Sequence, residues 1–308
     1  MIYLRNNDLF KELGRAPSTK TLATTIQNKI LIMEISDFKD FLETPVNGLL
    51  KLVGNELKQV AKNRLFEYQT NEYKRNYFTK TLLHRSEPVK LDEFYLPLHI
   101  TMYEGGNARR KSKEERISTE DVSKLFKKTN YIAIIGSAGS GKSTIVKYLF
   151  LDSVKRNFKI PIKVELRYLN DYKGSIADYI FDEIFTFHKL GFSKEIIDRL
   201  ITSGNFIFFF DGYDEINSNK KEQVTNDIDQ FVSKYSSNYY LITSRPYTNI
   251  DTLPLFTNYK VCDLLDSEIP AFVKKQIPIF KFQIPILLNH QFFERQFFGT
   301  WNFSYRNL

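Results

Sequence analysis

The fold follows from Gly136-Ser137-Ala138-Gly139-Ser140-Gly141-Lys142-Ser143-Thr144, which fits the pattern G-x-x-x-x-G-K-[ST]. An apolar segment, Tyr131–Ile135, precedes this stretch, and a helical pattern, Lys142–Val154, follows it. A strand, a glycine-rich loop and a helix in this order are the context that a phosphate-binding loop requires. We therefore predict a P-loop that binds a nucleoside triphosphate with Mg²⁺.

Each part of this loop has a chemical task. The glycines let the backbone curl so that successive N–H groups point at phosphate oxygens, and the helix that follows adds the positive end of its dipole. Lys142 is expected to reach the β- and γ-phosphates, and the Ser143 hydroxyl to bind Mg²⁺. The predicted nucleotide-binding residues are Gly136, Ser137, Ala138, Gly139, Ser140, Gly141, Lys142, Ser143 and Thr144.

A second polar group follows the continuous apolar run Phe206–Phe210, which is typical of a strand buried on both faces. Asp211 at its end is predicted to hold the Mg²⁺ shell together with Ser143. Asp214 and Glu215 are the candidates for the base that polarises the attacking water. Asp214 is favoured, and the alternative is that one of the two is a structural hydrogen-bond partner.

The third element is Leu241-Ile242-Thr243-Ser244-Arg245-Pro246, at the end of the next apolar strand. Ligands of open α/β sheets bind beyond the carboxyl ends of such strands. Arg245 is therefore predicted to sense or stabilise the γ-phosphate. The alternative role for Arg245 is that of a surface arginine that caps a loop.

Strand and helix patterns alternate from Tyr131 to Leu264, which predicts a parallel sheet between helices. About seventy residues separate the P-loop from Asp211, enough for an additional strand and several helices. In that arrangement a strand ending at Arg245 lies between the two motif strands. The predicted fold class is an α/β P-loop NTPase core of the AAA+-like (ASCE) type, preceded by a mainly helical region. Since the guanine-specifying sequence N-K-x-D is missing, ATP is favoured over GTP.

The motifs GSAGSGKST, FFFDGYDE and LITSRP together resemble those of the NACHT family of signal-transducing P-loop ATPases of the STAND class. The small Gly212 after the aspartate, with an acidic pair just beyond, separates that family from most relatives. The resemblance covers roughly Glu93–Ile277, including the segments FYLPLHIT upstream and YKVCDLLDSEI downstream.

This resemblance implies a nucleotide-dependent switch that hydrolyses ATP slowly. Such a switch rests with ADP and oligomerises when an activating ligand or partner is sensed, so that an effector is engaged. Prokaryotic members resemble defence proteins against phage, and this chain is identified as a member of that kind. Two alternatives stay open: a nucleotide-binding scaffold without useful turnover, and an ATP-dependent nucleic-acid-binding protein.

The C-terminal part departs from the family pattern. Family members continue into a winged helix and a repeat-built sensor, whereas this sequence stops at Leu308. We do not assign His290 the β-phosphate contact that relatives place in the winged helix. A truncation or a shifted reading frame near residue 277 is expected, and a Phe-rich surface for a partner or a membrane interface is the alternative.

The remaining sequence patterns divide the chain into four predicted parts. In the first part, a predicted helical pattern begins at Asp37. Glu93–Thr101 is predicted to be a strand that Pro97 places at a sheet edge, and Ser118 to cap a helix. One apolar helical stripe contains Leu57, Val60, Ala61, Leu65 and Tyr68. The predicted parts are a mainly helical region (1–90), a strand and charged linker (91–117), the NTPase domain (118–277) and a Phe-rich tail (278–308).

Composition narrows the class of protein. The single cysteine, Cys262, excludes a disulfide framework, and the four scattered histidines do not form a zinc set. The sequence has no run of eighteen apolar residues and no signal-peptide core, so we expect a cytoplasmic protein. The net charge of +8 allows a nucleic-acid partner, but most lysines lie on predicted solvated helix faces, and nothing beyond charge supports that partner.

Overall fold

The computed structural model describes residues 55–80, 88–103, 115–186 and 194–276. Its centre is a seven-stranded sheet, accompanied by a separate two-stranded ladder. The strands are β1 (Phe78–Thr79), β2 (Val89–Lys90), β3 (His99–Met102), β4 (Ile117–Ser118), β5 (Tyr131–Ile135), β6 (Ile160–Glu165), β7 (Phe206–Asp211), β8 (Tyr239–Ser244) and β9 (Thr257–Val261). The α-helices are α1 (Asn55–Tyr77), α2 (Leu91–Phe94), α3 (Val122–Leu125), α4 (Lys142–Lys155), α5 (Ile176–Tyr179), α6 (Lys194–Thr202), α7 (Ser218–Lys234) and α8 (Ile269–Gln276). A π-helix (Ile180–Thr186) and 3-10 turns (Leu166–Asn170, Tyr213–Glu215, Asn249–Thr252) complete the described elements.

The strand order is β4-β3-β9-β5-β8-β7-β6. Strands β9, β5, β8, β7 and β6 are parallel, whereas β3 runs antiparallel to both β4 and β9. The predicted α/β fold with a parallel sheet and flanking helices is therefore confirmed. Strand β8 lies between β5, which precedes the P-loop, and β7, which ends in Asp211, as the spacing of the motifs predicts.

Strand β7 is buried on both faces, as its unbroken apolar sequence predicts. All five side chains of Phe206–Phe210 have no exposed surface. Phe208 stacks on Tyr240 and meets Phe231 of α7 edge to face, whereas Phe209 contacts Phe150 of α4. Helices α7 and α4 therefore cover opposite faces of the sheet, and this packing holds the motif strands in fixed register.

The segment upstream of the sheet differs from the prediction. Leu91–Phe94 forms the short helix α2, and only the four residues of β3 are extended. Pro97 lies between them and not within a strand. Strand β3 has partners on both sides, so it is not the edge of the sheet. Pro161 in β6 is the proline that lies in an edge strand, where a missing N–H is tolerated.

The predicted helix cap at Ser118 is also wrong. Ser118 belongs to β4, and the cap of α3 is Asp121, whose carboxylate accepts hydrogen bonds from the backbone N–H groups of Ser123 and Lys124. An aspartate in this position satisfies two donors that the first turn of a helix leaves unpaired.

Helix α1 packs against α4 and is hydrogen-bonded to the edge strand β6. Its Tyr68 hydroxyl accepts a hydrogen bond from the Lys163 backbone N–H (3.2 Å), and its Gln69 side chain donates to the Pro161 carbonyl (2.7 Å). Leu65 and Tyr68 from the predicted apolar stripe are buried. The side chains of Leu57, Val60 and Ala61, and the helical pattern predicted from Asp37 to Gly54, lie outside the described residues, as does the tail from Pro278.

None of the helices in the described part of the chain combines the length and apolar character that crossing a membrane requires.

Candidate nucleotide-binding site

The P-loop connects β5 to α4 and depends on backbone conformations that favour glycine. Gly139 and Gly141 have φ angles of +78° and +90°. A Cβ atom at Gly141 would lie 2.8 Å from a terminal methyl group of Leu98, so that side chain would have to move, while the positive φ strains any other residue. The Gly136 N–H donates to the Ser244 carbonyl (3.1 Å), which ties the loop to the end of β8.

Lys142, at the start of α4, is turned towards the loop itself. Its ammonium group donates to the carbonyls of Gly136 (2.7 Å) and Ser137 (2.9 Å). Burial lowers the pKa of the Lys142 ammonium, while the nearby Asp214 carboxylate opposes this shift. An incoming phosphate chain would have to exchange for these two carbonyls to bind Lys142.

Asp211 lies next to Ser143, as predicted. The Ser143 hydroxyl donates to Asp211 Oδ1 over 3.2 Å. The Thr243 hydroxyl donates to the same oxygen over 2.6 Å and accepts from the Gly212 N–H over 2.9 Å. The register of β7 and β8, with Phe210 opposite Ile242, brings these groups together.

The residues at this point fit a magnesium ion. Mg²⁺ prefers oxygen ligands and is held by one or two protein groups together with phosphate oxygens. The Ser143 hydroxyl and the Asp211 carboxylate supply two such oxygens beside the P-loop. Gly212, at φ +84°, turns the chain directly after Asp211.

Asp214 is paired with Arg245 on both of its carboxylate oxygens. Oδ2 lies 2.9 Å from the Arg245 Nε, and Oδ1 accepts from the Arg245 backbone N–H over 3.1 Å. The side chain of Asp214 is only 12% exposed, whereas that of Arg245 is 57% exposed. The pair therefore joins the turn after β7 to the end of β8, and the guanidinium keeps an open face.

Glu215 occupies a different environment from Asp214. Its carboxylate lies 4.0 Å from Arg167 and its side chain is 46% exposed. Partial burial raises the pKa of Glu215, the Arg167 charge lowers it, and the Asp214 and Asp211 charges raise it further. A carboxylate with a raised pKa and access to solvent suits a general base.

A cleft of about 820 Å³ opens beside the P-loop. The loop from Gly136 to Gly141 and Thr144 form one side, and Leu96, Leu98 and Phe272 contribute to the apolar side. The Ser140 hydroxyl is buried without a hydrogen-bond partner. The volume lies in the range of small-molecule sites.

The structure brings every residue of the predicted site to the carboxyl ends of β5, β7 and β8. The nucleotide, metal and catalytic roles of these residues stay predictions. Two residues of the site, Thr243 and Arg167, are not predicted by the motifs. Thr243 lies within a motif, and a hydroxyl at the end of a buried strand is the signal that could have identified it. Arg167 lies in a 3-10 turn far from any motif, and no sequence signal identified it.

In a comparison with known protein families, the family model described as NACHT domain matches residues 130–278. No curated protein matched the chain significantly. The matched range contains the P-loop, the Asp211 strand and the Arg245 strand. The chain thus carries, at residues 130–278, a NACHT domain, which is a P-loop NTPase domain.

Proposed function

We propose that the protein binds ATP with Mg²⁺, hydrolyses it slowly, and uses the bound nucleotide as a molecular switch. The observation that carries the proposal is that the Ser143 and Thr243 hydroxyls both donate to one carboxylate oxygen of Asp211 beside the P-loop. A buried hydroxyl that fixes a carboxylate next to a phosphate-binding loop prepares that carboxylate for a metal.

The side chains divide the chemical work. Lys142 exchanges the loop carbonyls for the β- and γ-phosphates. Ser143 and Asp211 would hold Mg²⁺, which when bound offsets the negative charge of the phosphates. The loop N–H groups between Gly136 and Lys142 orient the phosphate chain.

We propose that Glu215 takes the proton from the attacking water and that Asp214 positions Arg245. The motif alone favoured Asp214 as the base. Both oxygens of Asp214 are engaged by Arg245, whereas Glu215 is more exposed and its pKa is raised. Both residues remain in the proposed catalytic group together with Arg245.

The Asp214–Arg245 pair supplies the switch in this proposal. With ADP bound, Arg245 keeps its carboxylate partner. A γ-phosphate competes for the exposed guanidinium, because arginine binds phosphate and carboxylate with the same planar donors. Movement of Arg245 then shifts the end of β8 against the turn after β7. The family resemblance extends the proposal further. It adds self-association, an activating ligand, an effector, a signalling or defence role and a cytoplasmic location.

The cleft favours a purine on its apolar side. Leu96, Leu98 and Phe272 offer surface for a flat ring and no charged group. The chain also lacks the N-K-x-D sequence that specifies guanine in Ras-type GTPases. ATP is therefore the proposed substrate.

The test combines three measurements on the full chain. The copurified nucleotide is identified, phosphate release is followed with ATP and Mg²⁺, and particle mass is compared in ATP and in ADP. We expect adenine nucleotide, slow turnover, and a larger mass in ATP. If Lys142→Ala and Asp214→Asn leave ATP binding and hydrolysis unchanged, the site is assigned wrongly.

A nucleotide-binding scaffold without turnover is the second candidate. It is favoured by the closed arrangement of Lys142 on the loop carbonyls and of Asp214 on Arg245. Bound nucleotide with no phosphate release at any Mg²⁺ concentration would support it. A nucleic-acid partner stays a prediction from charge.

A further inference from the structure

The nucleotide cleft has walls that do not come from the P-loop. Thr79 and Lys80, at the end of β1, line it together with Thr144 and Lys147 of α4. Of the charged residues that the structure describes, Lys80, Lys147 and Asp263 line this cleft. Lys142 is turned to the loop carbonyls instead. Two of the charges that face the cleft are therefore lysines outside the motif.

Contacts with the core fix the position of β1. Helix α1 ends where β1 begins, and its Tyr68 and Gln69 are hydrogen-bonded to the backbone of β6. Farther along, the Lys147 ammonium donates to the Thr79 hydroxyl over 2.9 Å. Burial lowers the pKa of the Lys147 ammonium, and the Lys163 charge lowers it further. The N-terminal helix thus holds Lys80 at the same wall as Lys147.

The position of these lysines indicates which part of a nucleotide they meet. Lys147 follows Ser143 and Thr144 by one turn of α4, and the Asp211 charge partly offsets the fall in its pKa. Anions bind at the first turn of such a helix. Two ammonium groups that line the cleft together with Thr144 suit phosphate oxygens, and the phosphates nearest the ribose are shared by ADP and ATP.

We infer that Lys80, on the same wall of the cleft as Lys147, binds the phosphate chain of a nucleoside di- or triphosphate, so that the segment that follows the N-terminal helix is part of the nucleotide site. This inference rests on the proposed nucleotide binding. It adds a ligand contact outside the matched NACHT range, and it gives α1 a direct connection to nucleotide occupancy.

The test measures affinity for mant-ADP and mant-ATP by fluorescence anisotropy in the full chain. Lys80→Ala should weaken both nucleotides by about five- to tenfold, as expected for one lost charge-assisted hydrogen bond. Lys80→Arg should retain most of the affinity. Lys90→Ala, in the neighbouring strand β2 and outside the cleft lining, is the matched control and should bind as wild type does. Because Lys80 is exposed, thermal unfolding without nucleotide should not change.

Hydrogen exchange gives a second measurement. ADP should slow amide exchange in residues 68–79 of the wild type, and this protection should be lost in Lys80→Ala. If Lys80→Ala binds both nucleotides like wild type while Lys142→Ala loses them, the inference is overturned and the proposed function stands. If the wild type binds neither nucleotide, the proposed function fails and the inference fails with it.

Discussion

Replacing Thr243 by valine tests how the metal-binding carboxylate is held. Valine has nearly the same shape as threonine, so the substitution removes a hydroxyl without opening a cavity. The Gly212 N–H, in a buried residue, then loses its acceptor, and Asp211 loses its 2.6 Å donor. A buried donor left unpaired costs about 1–3 kcal/mol. We expect a loss of about 2 kcal/mol, or about 4–8 °C in Tm for a domain of this size.

The substitution should also change how the protein uses Mg²⁺. Without the Thr243 hydroxyl, Asp211 has one fewer group to fix its orientation beside Ser143. The Mg²⁺ concentration that half-saturates ATP binding should therefore rise about tenfold, in the range that loss of a supporting hydrogen bond causes at metal sites. A Mg²⁺ titration of ATP binding, at a temperature at which both proteins are folded, measures this shift.

Thr119→Val is the matched control for this experiment. Thr119 is also fully buried, and its hydroxyl bonds to the Tyr95 hydroxyl (3.1 Å) and the Leu98 carbonyl (2.8 Å). The control should lower the melting temperature but leave the Mg²⁺ requirement unchanged. If Thr243→Val has the Mg²⁺ dependence of the control, then the hydroxyl does not position the metal ligand and the argument is refuted.

Three further predictions concern the loop and the catalytic group. Arg245→Ala removes the guanidinium from the 12%-exposed Asp214 and keeps only the backbone N–H contact, so we expect about 1–3 kcal/mol of destabilisation in a denaturant titration and no difference in particle mass between ATP and ADP. If the wild-type protein has the same particle mass in ATP and in ADP, the proposed switch is wrong. Gly141→Ala strains a φ of +90° and meets Leu98 at 2.8 Å, so nucleotide binding should be lost with about 1–2 kcal/mol of stability, measured by calorimetry and melting. The raised pKa of Glu215 keeps this base protonated to a higher pH than an ordinary glutamate, so turnover should rise with pH through that shifted pKa; a Glu215→Gln variant that keeps both the rate and this rise would exclude Glu215 as the base.

The sheet could be predicted because its signals are local. Phe206–Phe210 is apolar at every position, and only a strand covered on both faces accommodates such a run. The long separation of the P-loop and Asp211 is typical of a sheet in which another strand lies between the two motif strands, and β8 takes that place. The chain between the two motifs itself supplies the edge strand β6. The nucleotide-binding loop followed from its own glycines.

Errors arose where tertiary pairing decides the outcome. Pro97 suggested an edge strand, but the chain places Pro97 before β3 and uses Pro161 at the true edge. Ser118 and Asp121 are both good capping residues, and pairing of Ser118 with His99 across β3 and β4 left the cap to Asp121. The sequence of one chain does not show which of these two residues pairs in the sheet and which caps the helix.

Within the site, the sequence placed groups at the correct strand ends but not their partners. The contact between Asp214 and Arg245 joins residues from two strands, so its geometry depends on sheet register and turn shape. Arg167 reaches Glu215 from a 3-10 turn after β6. Long-range contacts of this kind need coordinates, whereas residue types and their order along the chain do not.

The two hydrogen bonds from α1 to the edge strand β6 have a consequence for aggregation of the protein. An uncovered parallel strand offers N–H and C=O groups to any other extended chain, and such edges seed aggregation. Tyr68 and Gln69 occupy two of these groups, while the opposite edge, β4, is only two residues long. A protease that cuts after Tyr77 would allow α1 to dissociate, and β6 would then be an edge strand with unpaired backbone groups. Loss of the helix should therefore cause turbidity before the sheet and the remaining helices unfold.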